Sequence, residues 1–268
     1  MFSPFYKWVD VITAPSNNTC RQLRKHLPDT DIRFISNGID ISRFQNTTPT
    51  CPIPASIPNK FVSRDTLVYV GRQGYEKSID VLLKGFAILH KSMPEARLLI
   101  IGKGPAAEEL QELAKSLGLS NDTVCFTGLI PNAELIGSQV LTRLGAFVSA
   151  SMTENQAMTV IEALCSGCPV IIPDQANMTD LVNEDSGWIF TPKDEQDLAR
   201  KMQEALSDKE AQKTKGVAAK KNIHRFDGVK VSKQFSDLYD EFAELHAAKR
   251  ERLENYSGSY RRYGLYSN

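Results

Sequence analysis

Ser149-Ala-Ser-Met-Thr-Glu-Asn-Gln-Ala-Met-Thr-Val-Ile-Glu-Ala-Leu-Cys-Ser-Gly-Cys-Pro-Val-Ile-Ile172 is the stretch from which the rest of the chain is read. An apolar run leads into it, and Glu154 falls in the polar loop that follows. A helical pattern from Ala157 to Ser166 carries Glu162. A Gly-x-Pro break and a second apolar run close the stretch. Strand, loop, helix and strand in that order make a βαβ unit, whose two strands run parallel beneath a covering helix.

The same alternation extends outward on both sides. Apolar runs of strand length occur at 66–70, 97–101, 123–127, 145–149, 169–172 and 188–190. Helix-period segments lie among them at 78–92, 106–117, 132–139, 157–166 and 194–206. Continuous apolar strands, rather than alternating ones, belong to a sheet buried on both faces. The expectation is an α/β fold: a Rossmann-like parallel sheet with helices on both faces, over residues 63–226. In such sheets ligands sit beyond the carboxyl ends of the strands, where strand order reverses.

Upstream, residues 8–14 read as a strand, 16–26 as a polar helix and 31–35 as a second strand. Residues 46–62, rich in Thr, Pro, Asn and Ser, read as a linker. Downstream, the charged helical quarter from 207 to 252, ending in a C-terminal helix over 227–252, carries an apolar stripe of Phe226, Val229, Phe235, Leu238, Tyr239, Phe242 and Leu245 that should pack on something. The tail 253–268, with Tyr, Ser, Gly and Arg, reads as mobile.

Composition narrows the class. Of 268 residues, 41% are hydrophobic and 24% charged, which is ordinary for a soluble globular chain. The 32 basic and 32 acidic residues cancel, so no global field draws nucleic acid or acidic lipid. Five scattered cysteines and no leader pattern point to reduced thiols and a cytoplasmic location. Cys165-Ser-Gly-Cys168 stands at a helix-to-strand junction without a second pair or a histidine cluster. Buried packing explains it better than a redox or metal role.

The loops after the strands hold the candidate chemistry. Gly71-Arg-Gln-Gly-Tyr-Glu-Lys77 follows the first apolar run. Gly71 permits a sharp turn, Arg72 offers a guanidinium fork and Lys77 an ammonium, and a helix N-terminus comes next. Together they can cradle a diphosphate, although two solvated cations on a surface loop fit the same residues. Gly102-Lys-Gly104 lacks the third glycine and the following acid of a dinucleotide fingerprint, so tight turn geometry suffices for it. Ile130, in Gly128-Leu-Ile-Pro131, could frame a flat base through its main chain. Glu154 and Glu162 lie eight residues apart, roughly 12 Å at helical rise. Each carboxylate accepts from two neighbouring hydroxyls, so the pair could grip the two ends of a nucleotide-sugar. The amides around Gln156, Ala157, Met158 and Thr159 would face the same ligand.

With these residues in hand, the chain resembles, over about residues 8–245, the C-terminal donor-binding half of a GT-B fold glycosyltransferase of family 4. The resemblance rests on Ala14-Pro-Ser16, Asn37-Gly-Ile-Asp40, Gly71-Arg72 with Glu76-Lys77, Ile101-Gly-x-Gly-Pro105, Phe126-x-Gly128, and Glu154-x7-Glu162 followed by Gly167-x-Pro169. It implies that Arg72 and Lys77 hold the donor diphosphate and that Glu154, with amides near Ala157–Thr159, meets the transferred sugar. It further implies that Glu162 takes the ribose hydroxyls and that Ile130 faces the base. Such enzymes retain anomeric configuration, take a nucleotide-diphosphate sugar (here UDP-sugar is expected) and need no metal or other cofactor. Their nucleoside diphosphate leaves on the front face through an oxocarbenium-like transition state. Thr153–Thr159 and Glu76–Asp80 are similar to the branch that glucosylates diacylglycerol, which would bring a lipid acceptor and peripheral membrane contact. Family members carry an N-terminal acceptor-binding domain, of which residues 1–45 match only the last strand and helix and the interdomain connection. An active enzyme would be an incomplete copy of a longer chain or would have its acceptor domain on a separate polypeptide; the alternative is a non-catalytic nucleotide-sugar-binding module or a remnant. Epimerase or phosphorylase chemistry on the same architecture is a further reading that fold alone leaves open.

Overall fold

The computed structural model describes residues 6, 8–46 and 48–262, with the last twelve of these as backbone only. Its centre is a six-stranded, all-parallel sheet built from β3 (Thr66–Val70), β4 (Arg97–Ile101), β5 (Val124–Gly128), β6 (Ala146–Val148), β7 (Val170–Pro173) and β8 (Gly187–Phe190). The spatial order is β5-β4-β3-β6-β7-β8. Counted from β3, that is the doubly wound order 3-2-1-4-5-6, and it reverses between β3 and β6.

Alternate side chains of each strand feed two separate cores. Val68, Leu99, Phe147, Val170 and Ile172 face one side, with Val160, Ile161 and Leu164 of helix α5 (Met158–Ser166). Leu67, Tyr69, Leu98, Ile100 and Ile171 face the other, with side chains from α2 (Ile79–Ser92), α3 (Ala107–Ser116) and α7 (Glu195–Ser207). Burial on both faces is why these strands read as unbroken apolar runs. Helix α4 (Asn132–Gly137) follows β5, the single turn α6 (Ala176–Thr179) follows β7, and α8 (Lys209–Asn222) packs beside α5.

A smaller unit precedes this domain: β1 (Ile12–Ala14), helix α1 (Asn17–His26) and β2 (Ile32–Phe34), the two strands parallel. Ser16 caps α1 by accepting from the Thr19 amide at 3.0 Å. The last helix, α9 (Gly228–Arg262), returns to this unit. Val231 and Leu238 bury against Ile35, with Val11, Phe235 and Phe242 around them. Arg33 donates to both carboxylate oxygens of Glu241 at 2.6 and 2.8 Å.

Two boundaries differ from expectation. The 46–62 stretch is more than a connector, because Ile57 and Phe61 are buried in the core beneath the sheet. Its prolines open tight turns, the Ile57 amide donating to the Pro54 carbonyl at 2.9 Å and the Phe61 amide to the Pro58 carbonyl at 2.8 Å, and the two apolar side chains fall inward. The tail expected from residue 253 is helical through Arg262. No proline interrupts it and its one glycine, Gly258, costs about 1 kcal/mol, which is too little to stop an established helix. The remainder of that tail, 263–268, lies outside the described residues.

Candidate functional site

The loops after β3 and β6 flank the reversal of strand order, and the first is held by a close backbone approach to the loop after β4. At Gly102 the chain adopts φ +134°, and a Cβ there would lie 1.9 Å from the Gly71 carbonyl oxygen. No side chain fits. Gln73 continues the seam: its amide donates to the Lys103 carbonyl at 3.0 Å and its Nε2 to the Gly102 carbonyl at 2.7 Å. The loops after β3 and β4 are therefore one sewn surface. The glycines that looked like turn residues serve contact between loops.

Past that seam the chain makes a short 3-10 turn, Tyr75–Lys77, and Ser78 takes a left-handed conformation at φ 52° before α2 begins. For a residue with a Cβ this strained geometry costs on the order of 1 kcal/mol. It turns Lys77 back toward the strand ends. There the Lys77 Nζ meets the Glu154 carboxylate at 2.7 Å, with both side chains largely shielded, at 23% and 16% exposure. Thr153 Oγ1 donates to the Glu76 carbonyl at 3.3 Å, a second tie between the two loops. The Tyr69 hydroxyl, beneath them, donates to the Arg72 carbonyl at 2.9 Å. Burial first, then the Glu154 and Glu76 charges, push the Tyr69 phenol well above its ordinary range, so it remains a donor.

Arg72 and Glu162 occupy the same end of the sheet without joining that ion pair. Arg72 is exposed and reaches Glu76 only at 3.5 Å, a weak surface contact. Glu162, on α5, accepts from Asn132 Nδ2 at 3.2 Å, and Asn132 Oδ1 accepts from Arg43 at 2.8 Å. Burial raises the Glu162 carboxyl above its usual range, while the Asn132 bond and the Arg43 charge act in the opposite direction. The four charged residues thus fall into one contacting pair, Lys77 with Glu154, and two groups outside it, Arg72 on the loop after β3 and Glu162 on α5.

Helix α5 starts at Met158 with no side-chain cap. The amides of Met158 and Thr159 have no carbonyl one turn back to bond, and so form a partial positive charge beside Glu154. Two predicted residues, expected to act through their main chains, turn their side chains elsewhere. The Ile130 side chain is buried in the core, leaving only its main chain to meet a ligand, while neighbouring Leu129 is exposed. The Gln156 side chain turns away from the crevice. Its Nε2 donates to Ser36 Oγ at 2.6 Å and its Oε1 accepts from the Asn37 amide at 2.8 Å. Asn132 and Asn177 had no signal in apolar periodicity, because each acts through one amide at the start of a short helix.

A doubly wound domain places its ligand crevice at the switch point, and here cations and acids stand on the elements that border it. Comparison with known proteins gives the family: the model for Glycosyl transferases group 1 matches residues 56–222, more than half of the chain, and the protein belongs to that family. Sulfoquinovosyl transferase SQD2 of Arabidopsis thaliana is 30% identical over 200 residues, covering 73% of this chain and 37% of its own length. Alpha-monoglucosyldiacylglycerol synthase of Streptococcus pneumoniae is 30% identical over 202 residues, covering 74% of this chain and 45% of its own. The protein therefore spans less than half the length of these relatives. HepE of Anabaena, solved in complex with UDP and glucose, superposes with a TM-score of 0.72 over 88% of this chain and 64% of its own, at 19% identity. That similarity is one of fold, the GT-B architecture.

Proposed function

We propose that this chain binds a UDP-sugar across the β3/β6 crevice as the donor half of a retaining hexosyltransferase, with a membrane glycolipid precursor such as diacylglycerol as acceptor. The observation that carries the reading is the shielded Lys77–Glu154 pair at the reversal of strand order. A carboxylate there accepts sugar hydroxyls, and the neighbouring ammonium is placed for the diphosphate. As the sugar departs, negative charge grows on the leaving phosphate. Lys77, Arg72 and the exposed amides of α5 oppose that charge without reorganising. Glu162, partly buried and anchored by Asn132, suits a pair of ribose hydroxyls. The lipid acceptor follows the names of the glycolipid-forming relatives. Work on a lipid surface would place the protein at the cytoplasmic face of a membrane as a peripheral guest. Among the described residues no helix is long and apolar enough to cross one.

The second reading is donor binding without transfer by these residues alone, with the acceptor supplied by another domain or polypeptide. It is favoured by the short span relative to the relatives. One experiment addresses both. UDP-glucose should raise the melting temperature of the purified chain, and Arg72→Ala or Lys77→Ala should abolish the rise. Loss of one such cation should also slow transfer by about 10²–10³-fold wherever transfer is measurable. Unchanged melting with UDP-, GDP- and ADP-sugars at concentrations of about 1 mM, the top of the usual KM range, would exclude donor binding altogether.

A further inference from the structure

Four buried polar side chains bind the loop that carries Glu154 to the small N-terminal unit, and none of them is needed to build the six-stranded sheet. Asn177, on the one-turn helix α6, donates through Nδ2 to the Glu154 carbonyl at 2.6 Å. Its Oδ1 accepts from the Ser16 hydroxyl at 2.7 Å. Gln156, two residues beyond Glu154, makes its pair of bonds with Ser36 and the Asn37 amide. Ser16 follows β1 and Ser36 follows β2, so both anchors stand at the carboxyl ends of the small parallel pair. Ser16, Ser36, Gln156 and Asn177 are each less than a tenth exposed. A buried amide is costly to leave unpaired, so these bonds persist only while the unit stays seated.

We propose that Asn177 and Gln156 are positioning residues that lash the Glu154 loop to the β1–α1–β2 unit, so that the sugar-facing carboxylate takes its place partly from outside its own sheet. The inference rests on the donor reading given above. Its consequence is directional. The phosphate-binding groups, Arg72 and Lys77, belong to the loop after β3 and do not contact Ser16 or Ser36. Movement of the small unit should therefore alter recognition of the sugar more than recognition of the nucleoside diphosphate.

The test uses the intact chain and two readouts. In hydrogen exchange, Asn177→Ala should speed exchange of the amides at 153–157 by about tenfold, the effect of losing one buried hydrogen bond, with β3 and β4 unchanged. Ser16→Gly keeps most of the α1 cap but loses the hydroxyl, so it should reproduce the effect, and Ser16→Thr should restore wild-type exchange. In titrations, the ratio of UDP-glucose to UDP affinity should fall about fivefold in Asn177→Ala while UDP affinity itself stays within about twofold. Unchanged loop exchange, or equal loss of UDP and UDP-glucose, would overturn the proposal. A wild-type chain that binds neither ligand would sink the donor reading, and exchange would still report on the lashing.

Discussion

The two parallel sheets of this protein are held in different ways. The six-stranded sheet is sealed on both faces, with Phe147 and Val68 on one side and Leu67 and Tyr69 on the other. In the two-stranded sheet Ala14 and Ile32 bury against Cys20 of α1, and a second small cluster joins Ile35 to Val231 and Leu238 of α9. Two strands alone fall short of independent stability, so the small unit depends on what leans against it. The large sheet sets the crevice rigidly, whereas the small one is attached through α9 and the polar bonds of Ser16 and Ser36. Stability belongs mainly to the first, and any adjustment of the site should enter through the second.

That contrast can be broken most forcefully at Phe147, which is fully buried where β6 pairs with β3 and β7. Phe147→Ala should cost about 3–5 kcal/mol of stability by leaving a cavity that the packed sheet cannot close. Denaturant unfolding would measure it, and a loss below about 1 kcal/mol would mean that the large sheet is not the rigid part.

A smaller effect concerns Glu162. Burial raises its folded-state carboxyl, so over the pH interval between the ordinary and the raised value the folded chain binds more protons than the unfolded one. Its contribution to stability is therefore intact below the ordinary carboxylate value and declines as pH climbs through the raised one. Glu162→Gln should gain melting temperature on the wild type across that interval and keep a constant lead above it, while losing nucleotide affinity. A lead that instead grew toward low pH would reverse the assignment.

The smallest effect belongs to the outer seam of the small unit. Arg33 and Glu241 are partly solvated, at 36% and 43% side-chain exposure. Glu241→Gln should shift melting only slightly, and the shift should vanish in high salt. A large, salt-resistant loss would place real stability in that seam.

Much of this was legible in the chain. The β3 and β4 runs fell where the strands are, because a strand covered on both faces has no polar position to blur its ends. Lys77 and Glu154 could be brought together from strand order alone, since the loops after the first and fourth strands must flank the reversal. Other features were hidden for identifiable reasons. Gln156 sits in the same polar loop as Glu154, and nothing in its neighbours signals that it turns toward Ser36. Helix α6, at one turn, is too short to show a period, so Asn177 passed unnoticed. Ile130 was placed by its loop, but its side chain follows the apolar preference for the core. Phe61 lay in a proline-rich stretch whose composition masked a core residue.

The bond between His246 and Asp10, at 2.9 Å, sets a late residue of the chain beside an early one. The polypeptide is thus drawn into a loop whose two arms meet on the small unit, far in sequence from the crevice. Tension applied between Asp10 and His246 would load that clasp first and strip α9 from β2 like a zip. The six-stranded sheet would then carry force only after the clasp had parted. A molecule wired this way unravels from its seam inward, and the core of the large sheet would be among the last parts to feel the pull.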